Sequence, residues 1–395
     1  NYADRNKADF VDRQDISYVE YDRYGNALEQ TIDTYLTMDA DPSELVDHKR
    51  IFNSFVDPNT GAFNPITARR GNATVTEVIR YDSLTENSTT KIDRTVTTTT
   101  EFDVRGYAVW QETDSFVVDL ISGLEKLANR RIMHNVDINN RGDSETQEIT
   151  TYMTDETGLE STLELTSFQV LTNREYDSDH NVVNQMILSY DEEGGLLLDV
   201  QEIRSIGYHS SGTALKQIIA TYADIDKTEL LDVKIIENED INSKGEVGKT
   251  IITKYGECVI LDQGTGEIVV NTDSAIDRQV VITTELDKRG NAINQEIYRE
   301  YFDEELGVFV FSEAQVLSHS AYDFHDRTKH SVILNYRDEA LTDFVDRQDI
   351  TYVQYDRYGN AISQIIDTYL TKSADISELV DHKVITNSYV DPITG

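Results

Sequence analysis

A chain of 395 residues with 73 acidic and 35 basic side chains carries a formal net charge of −38, which argues against nucleic acid or an anionic membrane surface as a partner. A single cysteine, Cys258, excludes an intrachain disulfide framework, and no Cys-x-x-Cys-His stretch is present to attach haem. No apolar run approaches the roughly 18 residues of a membrane span, no signal peptide is evident, and four prolines with 20 glycines are too few for a flexible low-complexity polymer.

From the N-terminus, the first predicted element is a strand, Asp15-Ile16-Ser17-Tyr18-Val19-Glu20-Tyr21. A polar corner, Asp22-Arg23-Tyr24-Gly25, turns it into a second strand that runs through Gln30 and Ile32 to Tyr35. This is the pattern of a β-hairpin. The corner Asp can accept hydrogen bonds from the backbone ahead of it, and Gly three residues on takes positive φ without a Cβ clash. An acidic loop, Asp39 to Glu44, closes the unit.

The same order then repeats. Corner positions fall at Gly25, Gly71, Gly106, Gly142, His180, Gly212, Gly245, Gly290, Asp326 and Gly359, about 37 residues apart on average, which signals a repeat architecture. His and Asp are among the few non-glycine residues that tolerate the left-handed region, so glycine is expected to be tolerated at 180. Three residues before the corner stand Asp22, Asp103, Asn139, Asp177, Asn242, Asp287, Asp323 and Asp356, interrupted by Ala68 and His209. Five after it, Gln30, Gln111, Gln147, Gln185, Gln217, Gln295 and Gln364 form a column completed by Thr76, Thr250 and Ser331. Seven after it lies the candidate repeat core, Ile32, Ile149, Ile187, Ile219, Ile252, Ile297, Ile333 and Ile366, with Val78 and Thr113 in the remaining units. Ten after it comes an aromatic column that includes Tyr35, Phe116, Tyr222 and Tyr369. Gln and Ile, two apart, share a face; the aromatic column faces the other way unless a bulge intervenes.

In chain order, two units carry additional turn-like insertions, Asp57-Pro58-Asn59-Thr60-Gly61 and Asp262-Gln263-Gly264-Thr265-Gly266. Leu120, Leu124, Leu127 and Ala128 fall near helical spacing, but the repeat places Asp119 to Gly123 in a loop and Leu124 to Val136 in a strand. A longer period overlies the units. Residues 1–61 and 335–395 are identical at 44 of 61 positions, so 1–334 form one super-repeat of nine hairpins and 335–395 begin the next, with no separate catalytic domain. The expectation is an excerpt of a longer protein.

Few motifs rise above this periodicity. Arg141-Gly142-Asp143 spells an adhesive tripeptide, yet Gly142 is the turn glycine. Gly245 to Thr250 resembles the end of a phosphate loop but sits in a hairpin. His48 and His382 occupy one super-repeat position, and no clustered Cys/His set is present to hold a metal. Asn72-Ala73-Thr74 and Asn87-Ser88-Thr89 match glycosylation sequons, and Trp110 is the lone aromatic candidate for a binding platform. The acidic loops supply weak calcium candidates, Asp39, Asp41, Glu44, Asp191, Glu192, Glu193, Asp303, Glu304 and Glu305, because carboxylate oxygens suit that ion; the competing reading is a solvated face that keeps the array soluble. No catalytic or cofactor-binding residue is assigned.

The Tyr-Asp-x-x-Gly-Asn signature at Tyr21 to Asn26 and Tyr355 to Asn360, relaxed at Phe102 and Tyr176, resembles the YD (RHS-type) repeats. The resemblance implies long spiralling antiparallel sheets on large bacterial surface and toxin proteins. The expected fold is therefore all-β, tandem hairpins in a continuous, coiling antiparallel sheet, with a β-solenoid as second choice. The expected role is a non-catalytic structural fibre or surface filament outside the cell, its partners other repeats and other copies of itself. A shell around a toxin or other cargo and a glycan-binding adhesin are the alternatives.

Overall fold

The computed structural model describes residues 10–120, 122–260 and 267–389. Strands that alternate about a tight corner satisfy their backbone by pairing with the strands before and after them, and the chain does this throughout. Arg13–Tyr21 pairs with Ala27–Tyr35, which pairs with Leu45–Ser54, and the succession continues without a crossover to Leu379–Thr386. The result is one antiparallel sheet of 21 strands. Among the described residues its outermost strands do not pair with each other, so the sheet is neither a closed barrel nor a solenoid of rungs. The helical spacing near Leu124 is overridden: Glu125–Ile138 is a strand.

Register follows the sequence columns. In eight of the ten units the apolar residue nine before the corner lies opposite the Ile seven after it, as in Ile203↔Ile219, Ile236↔Ile252, Leu317↔Ile333 and Ile350↔Ile366. Such cross-strand pairs contribute about 0.2–1 kcal/mol each, so the ladder accumulates unit by unit. Ile149 and Ile297 are buried, whereas Ile32, Ile187, Ile219, Ile252, Ile333 and Ile366 are half-buried. On the opposite face the aromatic column meets the residue twelve before the corner: Arg13↔Tyr35, Arg94↔Phe116, Val200↔Tyr222 and Ala314↔Tyr336. Tyr35, Tyr81, Tyr222, Tyr336 and Tyr369 are all buried there. The largest apolar cluster, built on Leu188, Val200, Ala220, Tyr222 and Val233, lies on this face under a small hairpin, Cys258–Ile260 with Ile268–Val270. That hairpin is the long insertion of the seventh unit; its tip, Asp262 to Gly266, lies outside the described residues.

The corners take the expected left-handed conformation, with φ of 88° at Gly25 and Gly359, 68° at His180 and 61° at Asp326. Gly71 differs. Its φ is 75°, but it caps a short helix, Pro65–Arg70, rather than closing a hairpin corner. Ala68 cannot supply the side-chain oxygen that Asp supplies in other units. Asn64 and Pro65 instead start a helical turn, with Asn64 Oδ1 accepting from the Ile66 and Thr67 amides. The neighbouring insertion is a closed turn in which Asp57 Oδ1 accepts from Asn59 and Thr60.

The sheet coils back on itself. The corner of the eighth unit reaches the loop of the second (Lys288 Nζ to Asp82 Oδ2, 3.2 Å), and the ninth packs Phe324 against Val117 and Ala128 beside the loop of the third. The tenth pairs Arg357 with Glu164 after the loop of the fourth. One turn thus takes six units. The accessible surface of 21042 Å² exceeds the ~15,700 Å² expected of a compact globule of this mass, as an open coil requires.

Glycine at the corners is a φ requirement first and a packing requirement second. A Cβ on Gly25 would meet nothing within 4 Å, whereas one on Gly106 would stand 2.4 Å from Asn72 Nδ2. Gly25→Val is expected to cost about 1–3 kcal/mol locally, and Gly106→Val more. Amide hydrogen exchange at each corner checks this, and equal effects at both would contradict it.

Candidate functional site

The features that recur with the most specific chemistry are the corner seam and the contact between successive turns of the coil. At each corner the residue three before the glycine organises the turn. Asp22 Oδ1 accepts from the Tyr24 and Asn26 amides at 2.8 and 2.9 Å, and Asn26 Nδ2 donates to Asp22 Oδ2 at 2.8 Å. Asp103, Asp177, Asp287 and Asp356 accept equivalent bonds. The Asn181 side-chain amide and backbone N–H hold the Asp177 carboxyl below the usual carboxylate range. Gly142, Gly212, Gly245 and Gly290 each donate their amide to the residue three before. Side chains then bridge corner to corner: Asn72 Nδ2 to Gly106 O at 3.0 Å, Arg105 to Asn139 O at 2.8 Å, Thr213 Oγ1 to Gly245 O at 3.0 Å.

A second link went unread in the sequence. The carbonyl two residues past the corner accepts a side-chain bond from the next unit in eight of the ten units. The donor is a Tyr hydroxyl at Ser144 (Tyr176, 2.7 Å), Val182 (Tyr208), Ala292 (Tyr322, 2.5 Å) and Thr328 (Tyr355, 2.6 Å). It is an Asn amide at Ala27 (Asn53), Ala108 (Asn135), Ala214 (Asn238) and Ala361 (Asn387), at 2.9 to 3.1 Å. Burial pushes the Tyr176 and Tyr322 hydroxyls up, which keeps them protonated as donors. The tyrosine of the Tyr-Asp signature is thus an inter-unit staple. The glutamine column is also local: Gln111, Gln147, Gln217 and Gln295 donate to Thr99, Asn135, Ser205 and Thr283 directly across their own hairpins, and do not stack along the array.

Other singled-out residues fall into structural positions. Asp143 of the Arg-Gly-Asp tripeptide is buried and pairs with His180 Nδ1 at 2.5 Å, while Arg141 bonds the Asp177 carbonyl. His180 is therefore more than a tolerated left-handed residue, and glycine there would remove the imidazole that Asp143 bonds. His48 is buried between Asp33 and Glu86; its super-repeat counterpart His382 pairs with Asp367 at an exposed site. Trp110 stacks on His134 at 4.0 Å, and His134 Nδ1 meets Glu148 at 2.8 Å. Of the calcium candidates, Asp41, Asp191 and Asp303 accept from their own loop amides; Asp39, Glu44, Glu192, Glu193, Glu304 and Glu305 stand in the same three loops. Among the described residues no three His, Cys, Asp or Glu side chains converge as a metal cage. No described helix is long and apolar enough to cross a membrane.

The turn-on-turn contact encloses two cavities. One, of about 340 Å³, lies between Asp155–Thr157 with Glu164 and Tyr355–Arg357; the other, of about 250 Å³, is lined by Val117, Ala128, Phe324 and His325. His325 Nε2 lies 3.5 Å from the Asp155 carbonyl. Burial, reinforced by Arg327, depresses the His325 imidazole to about 4.

No family model and no curated protein sequence matches the chain. Among solved structures, a Bacteroides fragilis protein of unknown function aligns at 15% identity over 37% of this chain and 89% of its own, with a TM-score of 0.20. The TcdB2-TccC3 structure aligns at 8% identity over 95% of this chain and 21% of that chain, TM-score 0.19. The Photorhabdus luminescens Tc holotoxin pore aligns at 9% over 93% and 24%, TM-score 0.15. The chain spans about a fifth to a quarter of the toxin chains it matches.

Two outcomes follow from this geometry. Tyr176→Phe leaves the Ser144 carbonyl with only the longer 3.5 Å bond from Arg174 and is expected to cost about 1 kcal/mol between the fourth and fifth units, read as faster exchange in both flanking strands. The His325 imidazole is neutral when docked and basic when released, near 6.5. The contact it supports is therefore complete above that value and weakens as pH falls toward about 4. Tryptic cleavage near Lys126 or Arg327 should rise over that window, and His325→Phe should abolish the dependence.

Proposed function

We propose that the protein is a structural repeat protein whose product is extent: a coiled wall one sheet thick, forming part of a fibre or filament outside the cell and performing no catalysis. The observation that carries this reading is that the conspicuous polar contacts serve the repeat itself, as corner caps, staples and turn-on-turn ion pairs. The stacking of corners on loops six units earlier favours a second reading, a wall that winds round a cargo, because a coil that seals turn against turn separates an inside from an outside. Exposure to an oxidising space would suit the near-absence of cysteine but does not require it.

Small-angle scattering tests the first step. A globule of this length has a radius of gyration near ~21 Å, and the coil is expected to exceed it; a value at the globular limit would overturn the proposal. Electron micrographs of the native particle then separate rods of constant width from closed capsules holding internal density.

A further inference from the structure

The seam between turns holds chemistry that the repeat itself does not use. Its cavity of about 250 Å³ has the third and fourth units on one side and the ninth corner on the other, two walls already stacked on each other. The floor is strand: Asp93 stands opposite Val117 and Thr95 opposite Ser115, so these four side chains share the isoleucine face. Phe324, His325 and Asp326 close the cavity from the turn above.

This lining is one-sided in charge and in hydrogen bonding. Two carboxylates, Asp93 and Asp326, line it, and among the described residues no lysine or arginine does. Their arginines stand outside the lining: Arg80 Nε donates to Asp93 Oδ1 at 2.9 Å, and Arg289 Nη1 lies 3.1 Å from Asp326 Oδ1. Two lining residues carry a buried acceptor that no described donor meets, Asn129 Oδ1 and His325 Nδ1. His325 Nε2 faces the Asp155 carbonyl, which assigns the ring proton to Nε2 and leaves Nδ1 a bare lone pair. The imidazole stays neutral down to about 4. Phe116 and Phe324 add ring faces already used by cations, with Arg94 at 3.9 Å and Lys126 Nζ at 4.6 Å from the ring centroids. The group that fits here is a donor, positively charged and larger than a metal ion, since among the described residues no three His, Cys, Asp or Glu side chains converge as a cage. The space far exceeds the ~10–15 Å³ that one water needs and falls short of the ~300–1,000 Å³ of drug-sized pockets.

We propose that the cavity binds a small aliphatic ammonium, a short diamine fitting best, with one N–H group donating to Asn129 Oδ1 and His325 Nδ1 and the carbon chain against Val117, Ala128 and Met153. The second ammonium sits at Asp326, whose side chain is half exposed and forms the rim. Asn129 belongs to the fourth unit and His325 to the ninth, so the bound amine fastens one turn of the coil to the next. The net charge of −38 concentrates such cations around the chain. The site does not depend on the fibre reading, because a coil wound round a cargo has the same seam.

Calorimetric titration of the 395-residue chain with 1,4-diaminobutane at neutral pH, in salt that screens unspecific attraction, is expected to show one site per chain. The uncharged 1,4-butanediol should give no binding. Asn129→Leu and Asp326→Asn should each weaken the amine by roughly tenfold or more, whereas Asp226→Asn, at an exposed loop of the sixth unit, should leave it unchanged. Asp326→Gly relaxes a corner φ of 61° and should fold yet lose binding in the same way. Unchanged circular dichroism verifies that the variants fold. Saturating amine should slow tryptic cleavage at Lys126 and Arg327 in the parent chain and not in Asn129→Leu. No binding, one site indifferent to these substitutions, or many weak equivalents displaced alike by magnesium would overturn the proposal.

Discussion

The constraint on which the molecule depends is that no hairpin here can satisfy its own backbone. Each unit ends with one strand edge open and with a carbonyl, two residues past the corner, pointing toward the next unit. The following strand closes the edge, and its Tyr hydroxyl or Asn amide takes the carbonyl. An isolated two-stranded hairpin is marginal in water, so order must spread from unit to unit, and stability is a sum over neighbours. The staple makes that spread directional, because the donor always comes from the later unit. The units followed by Phe102 and Leu286 have neither donor at those positions; the first is joined to its successor by strand pairing and by the Asn72 bond to the Gly106 carbonyl, the second by strand pairing.

The two faces of the sheet divide the work. On the isoleucine face the apolar ladder and the Gln–Thr, Gln–Asn and Gln–Ser pairs repeat with little change. On the tyrosine face the residue twelve before the corner switches between Arg and an apolar side chain. Arg13, Arg94, Arg130, Arg278 and Arg347 bring ion pairs with Asp15, Glu125, Asp114, Glu300 and Asp349. Phe168, Val200, Val233 and Ala314 are buried there instead, Val200 and Val233 within the apolar cluster. Half-exposed ion pairs contribute about 0–1 kcal/mol each, so on the arginine units the continuous ladder behind the sheet supplies most of the cohesion. The arginines absorb part of the acidic excess and keep their stretch of the face soluble.

Most of the architecture was legible because its signals are local. Corner residues, strand columns and the period are sequence facts, and a repeat forces one solution on all units. Gly71 misled because its φ is that of a corner while Ala68 removed the corner's side-chain acceptor, so the same torsion ended a helix. The staple was hidden for a different reason. Tyr176 and Asn135 sit in different columns and do one job, so neither column looks complete by itself. The turn-on-turn contact was out of reach, since nothing in a single unit states how many units complete a circle.

The curvature itself has a local cause in the bulges. Near the corner, the first strand is kinked in nearly every hairpin, either by a register slip as at Tyr18/Glu20, Thr99/Glu101 and Tyr352/Gln354, or by a positive-φ residue as at Asp137, Gly207, Asp240 and Ala321. At the other end the slip opposite the aromatic column recurs from Thr34/Tyr35 to Thr368/Tyr369. A bulge adds local twist and bends its strand, and a bend repeated at fixed positions in every unit accumulates into constant curvature. With strands about 4.8 Å apart, six hairpins close a circuit of roughly 58 Å. Shifted along the axis, that circuit brings the corners of one turn onto the loops of the last, where Phe324 meets Ala128. The coil is therefore encoded twice, once in the left-handed residue that turns each hairpin and again in the extra residue that each new strand pushes out of line.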